Sequence, residues 1–113
     1  MTDDEEKLFE VEDPRKIVIS LTTDRYNRHI ITDHVEMLQK VELIKESIKS
    51  PDEIYKDKNY DYRDVYLYEH SDEDLAKYGK YLKTVVDIDG WKGEVTTSYT
   101  TDERLFGELK WKK

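Results

Sequence analysis

The chain has no cysteine, which removes disulfides, thiolate metal sites and a cysteine nucleophile in one step. It has no glycine-rich phosphate loop and no Gly-x-Ser-x-Gly elbow, so two common routes to phosphate and acyl chemistry are absent. Apolar runs extend only a few residues and the first residues are acidic. Neither a signal peptide nor a membrane span is therefore expected, and a cytoplasmic protein is the default reading. Phenylalanine is scarce, with two residues, whereas tyrosine occurs nine times. Tyrosine buries its ring and keeps its hydroxyl paired or wet, so tyrosines are expected to supply apolar area that the 36% hydrophobic fraction lacks. With 113 residues, 41% of them charged, the chain suits one small two-layer domain with much solvated surface.

Charge is unevenly placed. Residues 1–13 hold seven acids and one lysine, a net of −6, so of the total −8 only −2 remains for the other hundred residues. That composition predicts a flexible acidic arm over 1–13, followed by a single α+β domain over 14–113. Residues 77–113 carry eight Lys or Arg against six acids, a balance compatible with contact to RNA.

Past Pro14, the β-branched run Ile17, Val18, Ile19 with Leu21 reads as a first strand. Thr22, Thr23 and Asp24 offer caps for a helix starting near Arg25, with Tyr26, Ile30 and Ile31 toward the core. His29 and His34 are five residues apart, so on a helix they diverge by roughly 140°. They are not the i, i+4 pair of a helical zinc site, and His34 must act from beyond the helix. Leu38, Val41, Ile44 and Ile48 predict a second amphipathic helix over about 36–49, stopped by Ser50 and Pro51. Four strands follow, near 62–68, 81–88, 93–101 and 108–112, the middle pair joined by a turn at Asp89 and Gly90. Two N-terminal helices packed on one face of a mainly antiparallel sheet of four to five strands is the fold this order predicts.

Such an arrangement leaves the other sheet face open, and a site is expected there. The candidates are a histidine from the helical region, Lys83, and one side of the Thr-rich strand, either Thr97, Tyr99 and Thr101 or Thr96, Ser98 and Thr100. A histidine, a lysine and a hydroxyl around one cleft supply a proton-transfer group, a cation for phosphate and a hydrogen-bond donor. That set suits RNA cleavage without a metal, in which the 2′-hydroxyl attacks the adjacent phosphorus and the 5′ oxygen leaves protonated. No spacing supports a histidine–carboxylate metal site, and His70, beside an acidic loop, is read as structural.

The runs RHIITDHVEM, SPDEIY, YLKTVVDID and GEVTTSYTTDERLFGELKW, in this order, resemble small bacterial and phage-associated domains of the barnase, EndoU, colicin and RelE-like nuclease superfamily, over roughly residues 17–111. The resemblance implies N-terminal helices against an antiparallel sheet and a toxin-like or phage-derived ribonuclease. Position by position, its pattern falls on His29, Ile30, His34 and Glu36, on Lys83, and on Thr97, Tyr99 and Thr101, with Tyr66 or Tyr68 as the aromatic after the helices. Two departures are Val35 where proline usually follows the second histidine, and Tyr26 where tryptophan is familiar. The expected catalytic set is His29, His34, Lys83, Thr97, Tyr99 and Thr101, with RNA as partner and neither cofactor nor metal. The rival readings keep the fold without catalysis: a protein-interaction domain using the acidic arm or the strand surface, or an antitoxin or immunity protein whose acids mimic nucleic acid.

Overall fold

The alternating stretch YLKTVVDID becomes the middle strand of a seven-stranded sheet. The structure, a computed structural model, describes residues 6–104 and 107–113. Its strands are β1 (Lys7–Glu12), β2 (Val18–Thr22), β3 (Glu53–Lys56), β4 (Arg63–Glu69), β5 (Tyr81–Asp89), β6 (Lys92–Thr101) and β7 (Leu109–Lys112), in the spatial order β1-β2-β6-β5-β4-β3-β7. The expected α+β class is present. The strand count is higher than four to five, and the sheet is mixed, because β2 runs parallel to β6 over Val18↔Lys92, Ile19↔Gly93 and Ser20↔Glu94.

Strands β4 to β6 form the antiparallel meander that their spacing predicts, and β3, not among the expected strands, extends it. Gly90, with φ of 67°, is the first residue of the two-residue β5–β6 turn, where a II′ hairpin requires a positive φ. Gly93 is needed for a different reason. A Cβ there would lie 2.8 Å from the side chains of both Ile19 and Ile88, so its absence lets β2 close on β6.

Residues 7–12 correct the expectation of a flexible arm. Phe9 and Val11 point to the core while Glu10 and Glu12 face outward, giving a strand paired antiparallel to β2. Two apolar residues on alternate positions outweigh the acids once β2 supplies the ladder, and charge on an edge strand discourages pairing with other chains. Residues 1–5 of that predicted arm lie outside the described residues.

The helical layer also differs from the expectation of two regular helices. Thr22 caps the first, its hydroxyl accepting from the Arg25 N–H at 3.1 Å. The segment then passes through α1 (Thr23–Arg25), a π-helical turn (Tyr26–Ile30) and α2 (Ile31–Asp33), and a 3₁₀ turn follows at Val35–Met37. The second helix, α3 (Val41–Lys49), starts later than the predicted 36. Leu38 is extended and exposed and Gln39 has φ of 63°, so Met37 enters the core in place of Leu38. Tyr26, Ile30, Met37, Ile44 and Ile48 pack on Ile19, Leu21, Ile54, Tyr66, Leu82 and Val86 of the sheet. A buried hydroxyl chain ties the layers: Ser47 Oγ donates to the Ile44 carbonyl and lies 2.7 Å from Thr84 Oγ1, which lies 2.9 Å from Ser98 Oγ.

The opposite face is not fully open. Leu67 is 1% and Lys83 5% exposed. From Thr101 the chain must reach β7, which pairs with β3 on the far side of β5 and β4. Arg104 and Gly107 of this crossing lie on that face. Arg104 bonds Glu53 and stands over the Tyr81 ring, and a Cβ on Gly107 would collide with the Lys56 carbonyl.

Candidate active site

Cross-strand register decides which strand side faces away from α3. Lys83 pairs with Leu67 on β4 and with Tyr99 on β6; Val85 pairs with Thr97, and Tyr81 with Thr101. Lys83, Thr97, Tyr99 and Thr101 therefore share one face, while Ser98 is buried under α3. The extra residue at the bulge beside Val85 and Val86 is Thr96, whose hydroxyl donates to the Val85 carbonyl at 3.2 Å. Tyr66 and Tyr68 fall on the α3 side, Tyr66 fully buried with its hydroxyl donating to Asp13 at 2.6 Å, so neither joins this group.

The helical segment approaches along β6, beyond the three residues at which β2 pairs with it. His34 ends α2 with non-helical angles (φ −135°, ψ 78°), which lets its ring leave the helix axis. It stacks on Tyr99 with centroids 5.2 Å apart and planes inclined by 27°. Two anchors hold this turn. The Tyr26 hydroxyl donates to the Met37 carbonyl at 2.6 Å, so Tyr26 fills its core position with a polar tie as well. Glu36 Oε2 accepts from Thr100 at 3.3 Å from the hydroxyl and 3.5 Å from the N–H, on the edge of β6. Val35 is exposed, and the 3₁₀ turn closes there through Leu38 N–H to the Val35 carbonyl at 3.1 Å.

His29 is not brought to this group. It lies exposed on the π turn and makes no hydrogen bond, ion pair or ring contact with the other candidates. His70 is structural: Nε2–H donates to the Gly79 carbonyl at 2.7 Å and Nδ1 accepts the Asp72 N–H at 3.1 Å.

Lys83 and Tyr99 open into a cavity of about 170 Å³ also lined by Tyr55, Lys56, Asp57, Lys58, Asn59 and Val65, so one carboxylate shares it with three lysines. Among the described residues neither the Lys83 ammonium nor the Tyr99 hydroxyl has a hydrogen-bond partner. Burial lowers the Lys83 pKa, with Glu103 acting weakly in the other direction. Burial also raises that of Tyr99, helped by Asp57 and Glu103, so the phenol stays a donor at neutral pH. At the cavity's flank, burial pushes the Glu53 carboxyl up, but bonds from Tyr55 and Arg104 outweigh it and hold the group below the usual carboxylate range. Lys58, Asn59 and Tyr55 were not foreseen from the sequence. β3 has only four residues and loop 57–62 has no periodicity, so register across β4 alone reveals them.

Chemically, the arrangement is a cation and a phenol donor facing a small cavity, with an imidazole stacked on the phenol. Among the described residues no group of three or more His, Asp or Glu side chains is placed to hold a metal ion, and no helix is long and apolar enough to cross a membrane. Compared with protein-family models, curated proteins and solved structures, the chain matches none.

Proposed function

We propose that the protein is a metal-independent ribonuclease-like domain, toxin-like or phage-derived, in which the Lys83 cavity seats the scissile phosphate. The observation that carries this reading is a nearly buried lysine that forms no ion pair among the described residues, opening into a cavity shared with a phenol that donates to none of them. A phosphate oxygen answers that ammonium, and Tyr99 donates to a second oxygen. His34, held on Tyr99, transfers the proton of the attacking 2′-hydroxyl or of the leaving 5′ oxygen. Thr97 and Thr101 flank Tyr99 on the same face as further donors. The resemblance of the sequence to barnase, EndoU, colicin and RelE-like domains supports the same chemistry. His29, exposed on the π turn and out of contact with these groups, is assigned no step.

The test is incubation with total RNA and tRNA in chelator. The native protein is expected to cut, His34→Ala to lose at least a hundredfold in rate, a typical general acid–base share, and Lys83→Met to lose cutting with the fold retained by circular dichroism. Cleavage undiminished in both variants would overturn the reading.

One observation favours a second reading, a non-catalytic domain that engages a basic protein. On the same face, a groove of about 610 Å³ is lined by Glu10, Asp87, Asp89 and Glu94 against Lys7 and Lys92. This net acidity suits a cationic partner. Absence of cleavage by the native protein, with salt-sensitive capture of a basic protein, would favour it.

A further inference from the structure

Between the Lys83 cavity and the acidic groove stands the loop of residues 57–63, whose polar tip and two tyrosines the proposed chemistry does not use. Tyr60 and Tyr62 are 45% and 50% exposed, with ring centroids 5.6 Å apart and planes inclined by 48°. Free aromatic rings on a loop usually cost conformational freedom on binding, but here the loop is built. Asp57 Oδ2 accepts the N–H groups of Asn59 and Tyr60 at 2.9 and 3.1 Å. Asp57 N–H donates to the Arg63 carbonyl at 2.8 Å, and Ile88 N–H donates to the Tyr62 carbonyl at 2.7 Å. The Arg63 guanidinium lies 4.6 Å from the Tyr60 ring centroid and 5.9 Å from that of Tyr62, and is fixed by Asp87 through Nε at 2.7 Å. The rings are thus backed on the protein side and open on the solvent side. Lys58 and Asn59 of the same loop line the cavity that holds Lys83, so the rings and the cation sit within one short span of surface.

We propose that loop 57–63 is a nucleobase-stacking platform: a base adjoining the phosphate held at Lys83 seats on Tyr60 and Tyr62, which makes the substrate an unpaired, single-stranded RNA. The inference rests on the reading of Lys83 as a phosphate seat and adds the element that would recognise the base. Aromatic rings stack on any base, and Arg63 adds a planar cation beside them. A duplex hides its base faces and cannot use such a platform.

The experiment is equilibrium binding, by fluorescence anisotropy, of a labelled 2′-O-methyl strand of roughly eight nucleotides, within the usual single-strand site range, and of an abasic strand of the same length. The 2′-O-methyl group prevents cutting by 2′-hydroxyl attack, so the intact native chain is used. Native protein is expected to bind the base-bearing strand about tenfold or more tighter than the abasic one. The Tyr60→Ala, Tyr62→Ala double variant loses about tenfold or more on the base-bearing strand and nothing on the abasic strand, whereas Lys83→Met weakens both. Unchanged binding by the tyrosine variant, with Lys83→Met still impaired, overturns the platform and leaves the phosphate seat standing. Impairment of the tyrosine variant alone overturns the phosphate seat and leaves the platform. Equal affinity for a duplex overturns the single-strand assignment, and no binding by native protein overturns both.

Discussion

Two of the places where this molecule buries charge handle it in opposite ways. At the turn between β1 and β2, Asp13 is buried and answered from all sides: Arg15 bonds its carboxylate at 2.9 and 3.1 Å, Tyr66 donates to it at 2.6 Å, and the Arg15 and Ile17 N–H groups add two more bonds. Arg15 also pairs with Asp64 at 2.9 Å. Lys83, across the sheet, is as deeply buried and has no such answer. A closed network specifies packing, because every member has its partner and any loss strands the others. An ammonium left open toward a cavity makes no such contribution to packing, and under the proposed reading it is the phosphate seat.

Arg15→Ala is the largest break to make in this contrast. It leaves Asp13 of the β1–β2 turn and Asp64 of β4 without their cation, and a loss of about 3–5 kcal/mol is expected by urea denaturation. A loss under 1 kcal/mol would mean that the network is not closed in solution. Lys83→Met is expected to move stability the other way, by a gain of about 1–2 kcal/mol, since it replaces an unanswered cation with apolar volume of similar length. The pH dependence sharpens this point. The Lys83 pKa is lowered below the usual 10.5, so the unfolded chain binds more protons than the folded one between the lowered value and 10.5. Native stability therefore rises with pH across that window, and the advantage of the methionine variant shrinks as pH approaches 10.5. A constant advantage across that range would show that Lys83 is not desolvated. Smallest is Ser47→Ala, which removes one end of the hydroxyl chain but leaves Thr84 bonded to Ser98. About 1 kcal/mol is expected, measured in the same denaturation series.

How much of this was legible depends on what kind of signal each element carries. The β5–β6 hairpin announces itself through alternation and an Asp-Gly turn, which put Thr97, Tyr99 and Thr101 on one side of the last half of β6. That Lys83 shares that side depends on the extra residue Thr96, without which the register from the turn would set Lys83 opposite Ser98. The sequence left open which side of β6 faces the cavity, and the resemblance chose the one that register supports. β1 was hidden because acids dominate its composition, although Phe9 and Val11 already alternate. β3 is too short to show a period, and its place between β4 and β7 depends on a chain crossing that no local pattern encodes. The break at Leu38 and Gln39 carries neither proline nor glycine, so the apolar spacing ran through it. That His34 rather than His29 meets the strands follows from where the helix ends, and the π turn that shifts that end is a tertiary effect.

The parallel seam between β2 and β6 has a consequence for the order in which the site is assembled. Residue 18 must find residue 92, whereas β3 to β6 pair with their sequence neighbours, and distant closures are slow compared with local ones. Lys83 and Tyr99 belong to a hairpin closed by local pairing, but His34 reaches Tyr99 only where the segment after β2 docks along β6. A chain emerging from its amino end presents the histidine long before the strand it stacks on exists. The cation and the phenol are therefore joined by local pairing, whereas the imidazole reaches them only through a long-range closure.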